Sequence, residues 1–194
     1  MESDPFQAAR GGPSEERLSV FALVIYIPGA LGAFLDDLRR ELVPHYNPRA
    51  HVSVLPPRPL TSDWHSASAE VRATAEPWPP FEIELTAIEV FPVTDVVYIE
   101  VGSGAAELRR MHAAMNSNTL GFQEPFAYRP HITLAQELPS ESVGEASELA
   151  RRRWREFRGE RRFRAERAVF VQNTLSGCWI DLAEYSFQGR SGKF

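Results

Sequence analysis

Two tetrapeptides in this chain repeat one chemical pattern: His51-Val52-Ser53-Val54 and His131-Ile132-Thr133-Leu134. Each is a histidine, an apolar β-former, a hydroxyl residue and a second apolar β-former. Alternate side chains of a strand share a face. In each segment the imidazole and the hydroxyl therefore point one way and the two apolar side chains the other. An imidazole, with an ordinary pKa near 6.5, takes or gives a proton around neutrality. Two of them brought to one spot supply a base and an acid, and two hydroxyls supply donors for the oxygens of a bound anion. That set is enough for metal-free acid–base work on a phosphodiester. Serine as a covalent nucleophile is the weaker option, because no carboxylate is evident to orient its histidine.

Of the five histidines, only His51 and His131 have Ser or Thr two places on. Both motifs lie in β-like runs. Both follow a turn-rich stretch, Pro44 to Pro48 and Pro125 to Pro130. They are 80 residues apart, about half the expected folded region, as a duplicated unit would place them. The plainer alternative is two strand histidines satisfied by backbone, with the hydroxyls on an ordinary surface.

The elements that must position these residues follow from pattern and punctuation. Leu18–Ile27 reads as a buried strand and Ala30–Val43 as a helix ended by Pro44. The first motif strand runs from about Ala50 to Leu55, and Pro56, Pro57 and Pro59 then form a stiff loop. Asp63–Glu76 reads as a helix capped by Ser62 or Asp63. Phe81–Phe91 alternates and pairs with Val96–Val101 as a hairpin. A helix from Ser103 to about Leu120 precedes the second motif strand, Arg129–Ala135. Ser140–Phe157 is helical with Ser140 as its cap, and Phe163–Val171 and Gly177–Phe187 close the fold as strands. Helix, motif strand, helix, hairpin thus occurs twice. Such runs suit an α+β architecture with helices packed outside antiparallel sheets.

At 194 residues and 43% hydrophobic, the chain suits one domain, residues 18–187, with a polar leader over 1–17 read as disordered and a frayed tail over 188–194. The formal charge of −5 argues against a coat for long nucleic acid and for a small or end-specific substrate. The single cysteine, Cys178, excludes an internal disulfide and fits a cytoplasmic location. No Cys/His cluster has zinc-like spacing, so no metal or cofactor is expected. The apolar run Val20–Ile27 is too short to span a membrane, and a monomer is expected.

In these motifs the chain resembles the 2H phosphoesterase superfamily, which includes the 2′-5′ RNA ligase and cyclic phosphodiesterase proteins and is marked by paired His-x-Thr/Ser-x motifs. Tyr128-Arg129-Pro130-His131-Ile132-Thr133-Leu134-Ala135 is especially similar to that family's second motif. The first motif carries Ser53 where many relatives have Thr and continues Leu55-Pro56-Pro57, not Phe-Leu-Gly. Gln136 stands where the ligase-named branch often has Arg. The resemblance implies two pseudo-symmetric lobes, each an antiparallel sheet with helices on its outer face, flanking a central cleft. It implies His51 and His131 as catalytic residues, Ser53 and Thr133 as phosphate binders, and a nucleotide or RNA 3′-end as substrate, most of all a 2′,3′-cyclic phosphate. It orders the histidines with His131 as base and His51 as acid, an order the pattern itself leaves open. A ligase or a cyclic oligonucleotide hydrolase would use the same site, and a module that binds RNA without turnover is the alternative from another class.

Supporting residues are read from their positions. Arg129 shares the parity of His131 and either carries phosphate charge or is a solvated side chain. Tyr128, Phe126 and Trp179 are candidates to stack a base, against the plainer reading of core or rim packing. Arg58 on the proline loop reads as an exposed arginine, with lining of the cleft as the alternative, and His112 reads as packed. The arginine-rich run from Arg151 to Arg167 reads as a salt-bridged surface, with an RNA-docking strip as the alternative.

Overall fold

The structure is a computed structural model that describes residues 16–43 and 49–189. The expected turn at 44–48, with His45, lies outside the described residues, as does the leader up to residue 15 and the tail from residue 190. The described ends are tied down. Glu16 accepts a bond from the Leu175 N–H, and Gln188 and Gly189 donate to the Glu76 and Trp78 carbonyls.

Among the described residues, eight strands and four helices follow one another as β1 (Arg17–Tyr26), α1 (Gly29–Leu42), β2 (His51–Arg58), α2 (Trp64–Ala75), β3 (Phe81–Val90), β4 (Val97–Val101), α3 (Ala105–Met115), β5 (His131–Ala135), α4 (Ser140–Glu156), β6 (Arg162–Ala165), β7 (Arg167–Thr174) and β8 (Trp179–Ser186). They make two four-stranded antiparallel sheets, ordered β2-β1-β7-β8 and β5-β4-β3-β6. This is the α+β fold expected from the element order, in the two lobes that the family resemblance implies. Each motif strand, β2 and β5, is the edge of its own sheet, and the two edges lie against each other.

Helices and strands share one core. Leu31, Leu35 and Leu38 of α1, Val71 of α2, Leu108 and Met111 of α3 and Trp154 of α4 pack in the same cluster as Val52, Val54, Ile132 and Leu134. The packing is crossed. Helix α1, which precedes β2, lies on β5, and α3, which precedes β5, lies on β2. The hairpins cross too: β3–β4 pairs with β5, while β7–β8 joins β1 and β2. Gly32 marks how closely α1 enters, since a Cβ there would sit 1.9 Å from the Ile27 carbonyl oxygen.

Four boundaries differ from expectation, each for a physical reason. The proline loop is strand: β2 runs through Pro56 and Pro57 to Arg58. Proline lacks an N–H, which a sheet edge can spare, and the register of β2 on β1 is irregular there. The expected strand Phe163–Val171 is two strands in different sheets, broken at Glu166, where two exposed residues in succession interrupt the alternation. The helix expected to reach Leu120 ends at Met115, and the polar Asn116-Ser117-Asn118 turns into a short 3-10 segment. Ser140 is the first residue of α4 rather than its cap, and its hydroxyl donates to Asp95 at 3.0 Å. Asp63 does cap α2, accepting from the N–H groups of His65 and Ser66.

Candidate active site

On β2, Val52 and Val54 are buried while His51 and Ser53 are partly exposed; on β5, Ile132 and Leu134 are buried while His131 and Thr133 are partly exposed. The alternation puts each imidazole–hydroxyl pair on the face away from the core. His51 stands opposite Tyr26 of β1, and His131 opposite Glu100 of β4, with Tyr98 opposite Thr133. The two edges are also fastened together. The Tyr128 hydroxyl, three residues before His131, donates to the Ser53 carbonyl at 2.7 Å.

Both imidazoles are held alike. His51 Nδ1 lies 2.9 Å from the Arg49 carbonyl and His131 Nδ1 lies 2.7 Å from the Arg129 carbonyl. A carbonyl only accepts, so in each ring Nδ1 carries the proton and Nε2 is the free nitrogen. A tyrosine meets each ring edge-on: Tyr26 at 6.2 Å from His51 and Tyr98 at 5.4 Å from His131.

Arg49 reaches this pose with a positive φ of 88°, a costly conformation for a side chain with a Cβ. The Asp36 carboxylate of α1 holds it there, accepting from the N–H of Arg49 at 2.8 Å and of Ala50 at 2.5 Å.

Burial pushes the His51 pKa down to about 4. The Arg49 carbonyl opposes that shift, and positive charge on Arg39 and on His131 adds to it. Burial lowers His131 as well, again against its carbonyl bond and with the help of Arg129.

The weaker sequence candidates are placed differently. The Arg129 guanidinium pairs with Glu100 beside His131. The Tyr128 ring stacks on His112 at 3.9 Å between centroids, so one face is covered and its hydroxyl is committed to Ser53; its role in the structure is to fasten β5 to β2. Phe126 is exposed on the segment before β5. Trp179 lies at the start of β8, the fourth strand of the sheet that begins with β2, and shares its packing cluster with Tyr26. It packs there on a small cluster of Ala22, Val24, Val169 and Val171.

Arg58 corrects an expectation. It is 2% exposed, not a surface residue, and its guanidinium pairs with Glu124, donates to Asn116 Oδ1 at 2.7 Å and to the Leu120 carbonyl at 3.1 Å. His112 is packed as expected, its Nδ1 donating to the Val54 carbonyl at 2.8 Å. In the arginine run, Arg151, Arg153, Arg161, Arg164 and Arg167 are engaged with carbonyls or carboxylates of the protein. Among the described residues no three His, Cys, Asp or Glu gather as a metal-binding group, and no helix is long and apolar enough to cross a membrane.

Arg49, Tyr26, Asp36 and Asp181 around His51 were not singled out from sequence. One signal was present: an arginine stands two places before the histidine in both motifs, Arg49 and Arg129.

The profile of the 2′-5′ RNA ligase superfamily matches residues 27–176. The chain belongs to that superfamily. A protein of Geobacillus kaustophilus named as a candidate phosphoesterase is 26% identical over 128 residues, spanning 61% of this chain and 70% of its own. Among solved structures, a protein of Thermus thermophilus superposes with a TM-score of 0.62 at 16% identity, covering 88% of this chain and 98% of its own. LigT of Escherichia coli complexed with 3′-AMP gives 0.58 at 13% identity, covering 90% and 99%. Usb1 of Kluyveromyces marxianus with uridine monophosphate gives 0.52 at 12% identity, covering 84% and 97%. These structural likenesses are likenesses of fold. Together with the superfamily match they make the 2H phosphoesterase resemblance a finding and support a phosphodiesterase- or ligase-type activity.

Proposed function

We propose that this protein hydrolyses nucleotide or RNA-end phosphodiesters without a metal ion, 2′,3′-cyclic phosphates above all. The observation that carries this is the pair of matched histidines, each with Nδ1 on a carbonyl and Nε2 free, on two strand edges that touch. The phosphorus sits between them. The hydroxyls of Ser53 and Thr133 donate to its non-bridging oxygens and fix it for in-line attack. One histidine takes a proton from water as the water oxygen bonds to phosphorus. The other gives its proton to the ribose oxygen as the bond from phosphorus to that oxygen breaks. The product is a phosphomonoester with a free hydroxyl.

Family resemblance orders the roles with His131 as base. Burial lowers both rings and does not order them. The complexes of LigT with 3′-AMP and of Usb1 with uridine monophosphate support a nucleotide as the occupant. A lone free cysteine, Cys178, fits work in the cytoplasm.

The test is turnover of 2′,3′-cyclic AMP in EDTA, with the product resolved by chromatography. The expected result is undiminished conversion to a nucleoside monophosphate. Loss on chelation with recovery on a divalent ion would make a histidine a ligand and overturn the mechanism. Salt-sensitive RNA binding with no turnover of any cyclic or linear diester would replace it with the binding-module reading. A leaving group of very low pKa decides the order of roles. It should rescue His51→Ala, which lacks the acid in the order the resemblance gives, and not His131→Ala.

A further inference from the structure

The unit around His51 holds an assembly that acid–base chemistry leaves unused. The Arg49 guanidinium lies over the Tyr26 ring, 3.6 Å from its centroid. Asp181 of β8 fixes both partners, accepting from the Tyr26 hydroxyl at 2.6 Å and from Arg49 Nη1 at 2.6 Å. The Arg49 side chain is nevertheless 55% exposed. One face of the guanidinium is thus backed by an aromatic ring and its charge is matched by a carboxylate, while the other face is open. Beside it lies a cavity lined by Tyr26, Asp36, Arg49, Arg167, Val169 and Glu184. The same Tyr26 ring that backs Arg49 meets the His51 imidazole edge-on.

We propose that Arg49, backed by Tyr26 and held by Asp181, is a stacking platform for the nucleobase of the nucleotide whose phosphate lies between His51 and His131. This rests on the phosphodiesterase reading. A planar, delocalised cation whose edge is already occupied offers its π-like face rather than its charge, and bases stack on guanidinium planes as they do on aromatic rings. A second phosphate would be the other occupant for an arginine, but Asp181, Asp36 and Glu184 set three carboxylates around the same place. The matching arginine of the other unit is less suited. Arg129 sits 5.4 Å from the centroid of Tyr98, a ring that is 2% exposed.

Calorimetric titration with adenosine 3′-monophosphate and with inorganic phosphate tests this. The wild-type protein should bind the nucleotide more tightly than phosphate. Arg49→Lys keeps the charge and removes the plane, so it should lose about tenfold in nucleotide affinity with phosphate affinity unchanged. Arg129→Lys should keep the advantage of the base. Should Arg49→Lys melt at a lower temperature, Arg49→Met must give the same nucleotide-specific loss. Equal losses on both probes, or unaltered nucleotide affinity, overturn the platform. A wild-type protein that binds phosphate but gains nothing from the base overturns the platform alone. Binding of neither probe removes the phosphate site and the phosphodiesterase reading with it.

Discussion

The roles proposed for His51 and His131 rest on what holds the two rings. In each ring a backbone carbonyl fixes the proton on Nδ1, so Nε2 is the nitrogen left for proton transfer in both. Removing either ring removes a proton transfer made only in the transition state. His51→Ala and His131→Ala should therefore each lower kcat by at least about 10², with little change in KM, and the double mutant should be scarcely worse than the worse single one. The pH dependence follows from burial. Both imidazoles are lowered, His51 to about 4. As pH falls through the lower value the base is protonated and lost; as it rises through the upper value the acid is deprotonated and lost. The bell of kcat/KM should peak on the acid side of an ordinary histidine pKa, about 6.5, and a maximum above neutrality would contradict the assignment. Asp36 acts one step removed, by holding Arg49 at its positive φ. Asp36→Ala should cut kcat roughly tenfold or more, and Asp36→Asn, which keeps an acceptor oxygen, should restore part of it.

At the scale of elements, the site exists because two edge strands meet. The free side of β2 has its carbonyls taken by side chains from the other half of the chain: Ser53 by Tyr128 and Val54 by His112. Arg58 closes the same seam from the far end of β2, reaching Asn116, Leu120 and Glu124. Replacing it by methionine leaves Glu124 without its cation in a largely buried place. The expected cost is about 3–5 kcal/mol in urea unfolding; a loss under about 1 kcal/mol would mean that the pair is dispensable. Much of this was legible in sequence where local pattern and tertiary demand agree. His51 and Ser53 alternate with Val52 and Val54, and the second motif does the same. The readings that failed depended on partners far along the chain. Pro56 and Pro57 look like a loop until the strand is known to be an edge. Arg58 looks exposed until a carboxylate 66 residues away is brought to it. Glu166 looks like mid-strand until the two sheets are known to claim opposite sides of it.

For the whole molecule, the depressed His51 pKa is also a statement about stability. The unfolded chain binds a proton near pH 6.5, the folded one only near 4, so folding becomes weaker as pH falls through that window. His51 alone contributes a loss of up to about 3 kcal/mol between about pH 7 and pH 4. A His51→Gln protein should show a flatter acid limb in denaturation midpoints recorded across the same window. An identical slope in both proteins would mean that the ring is free to charge in the fold.

The crossed packing sets a limit on motion. A two-lobed molecule with a cleft invites the picture of a hinge, with the halves swinging apart to admit a substrate. Here the helix before each motif strand is a strap laid over the opposite lobe. To swing the lobes apart would peel α1 from β5 and α3 from β2, tearing the shared core rather than bending a linker. The gap between the imidazoles is therefore set when the chain folds. On the proposed function, a substrate fits an aperture of fixed width, and selectivity by size comes before any selectivity by chemistry.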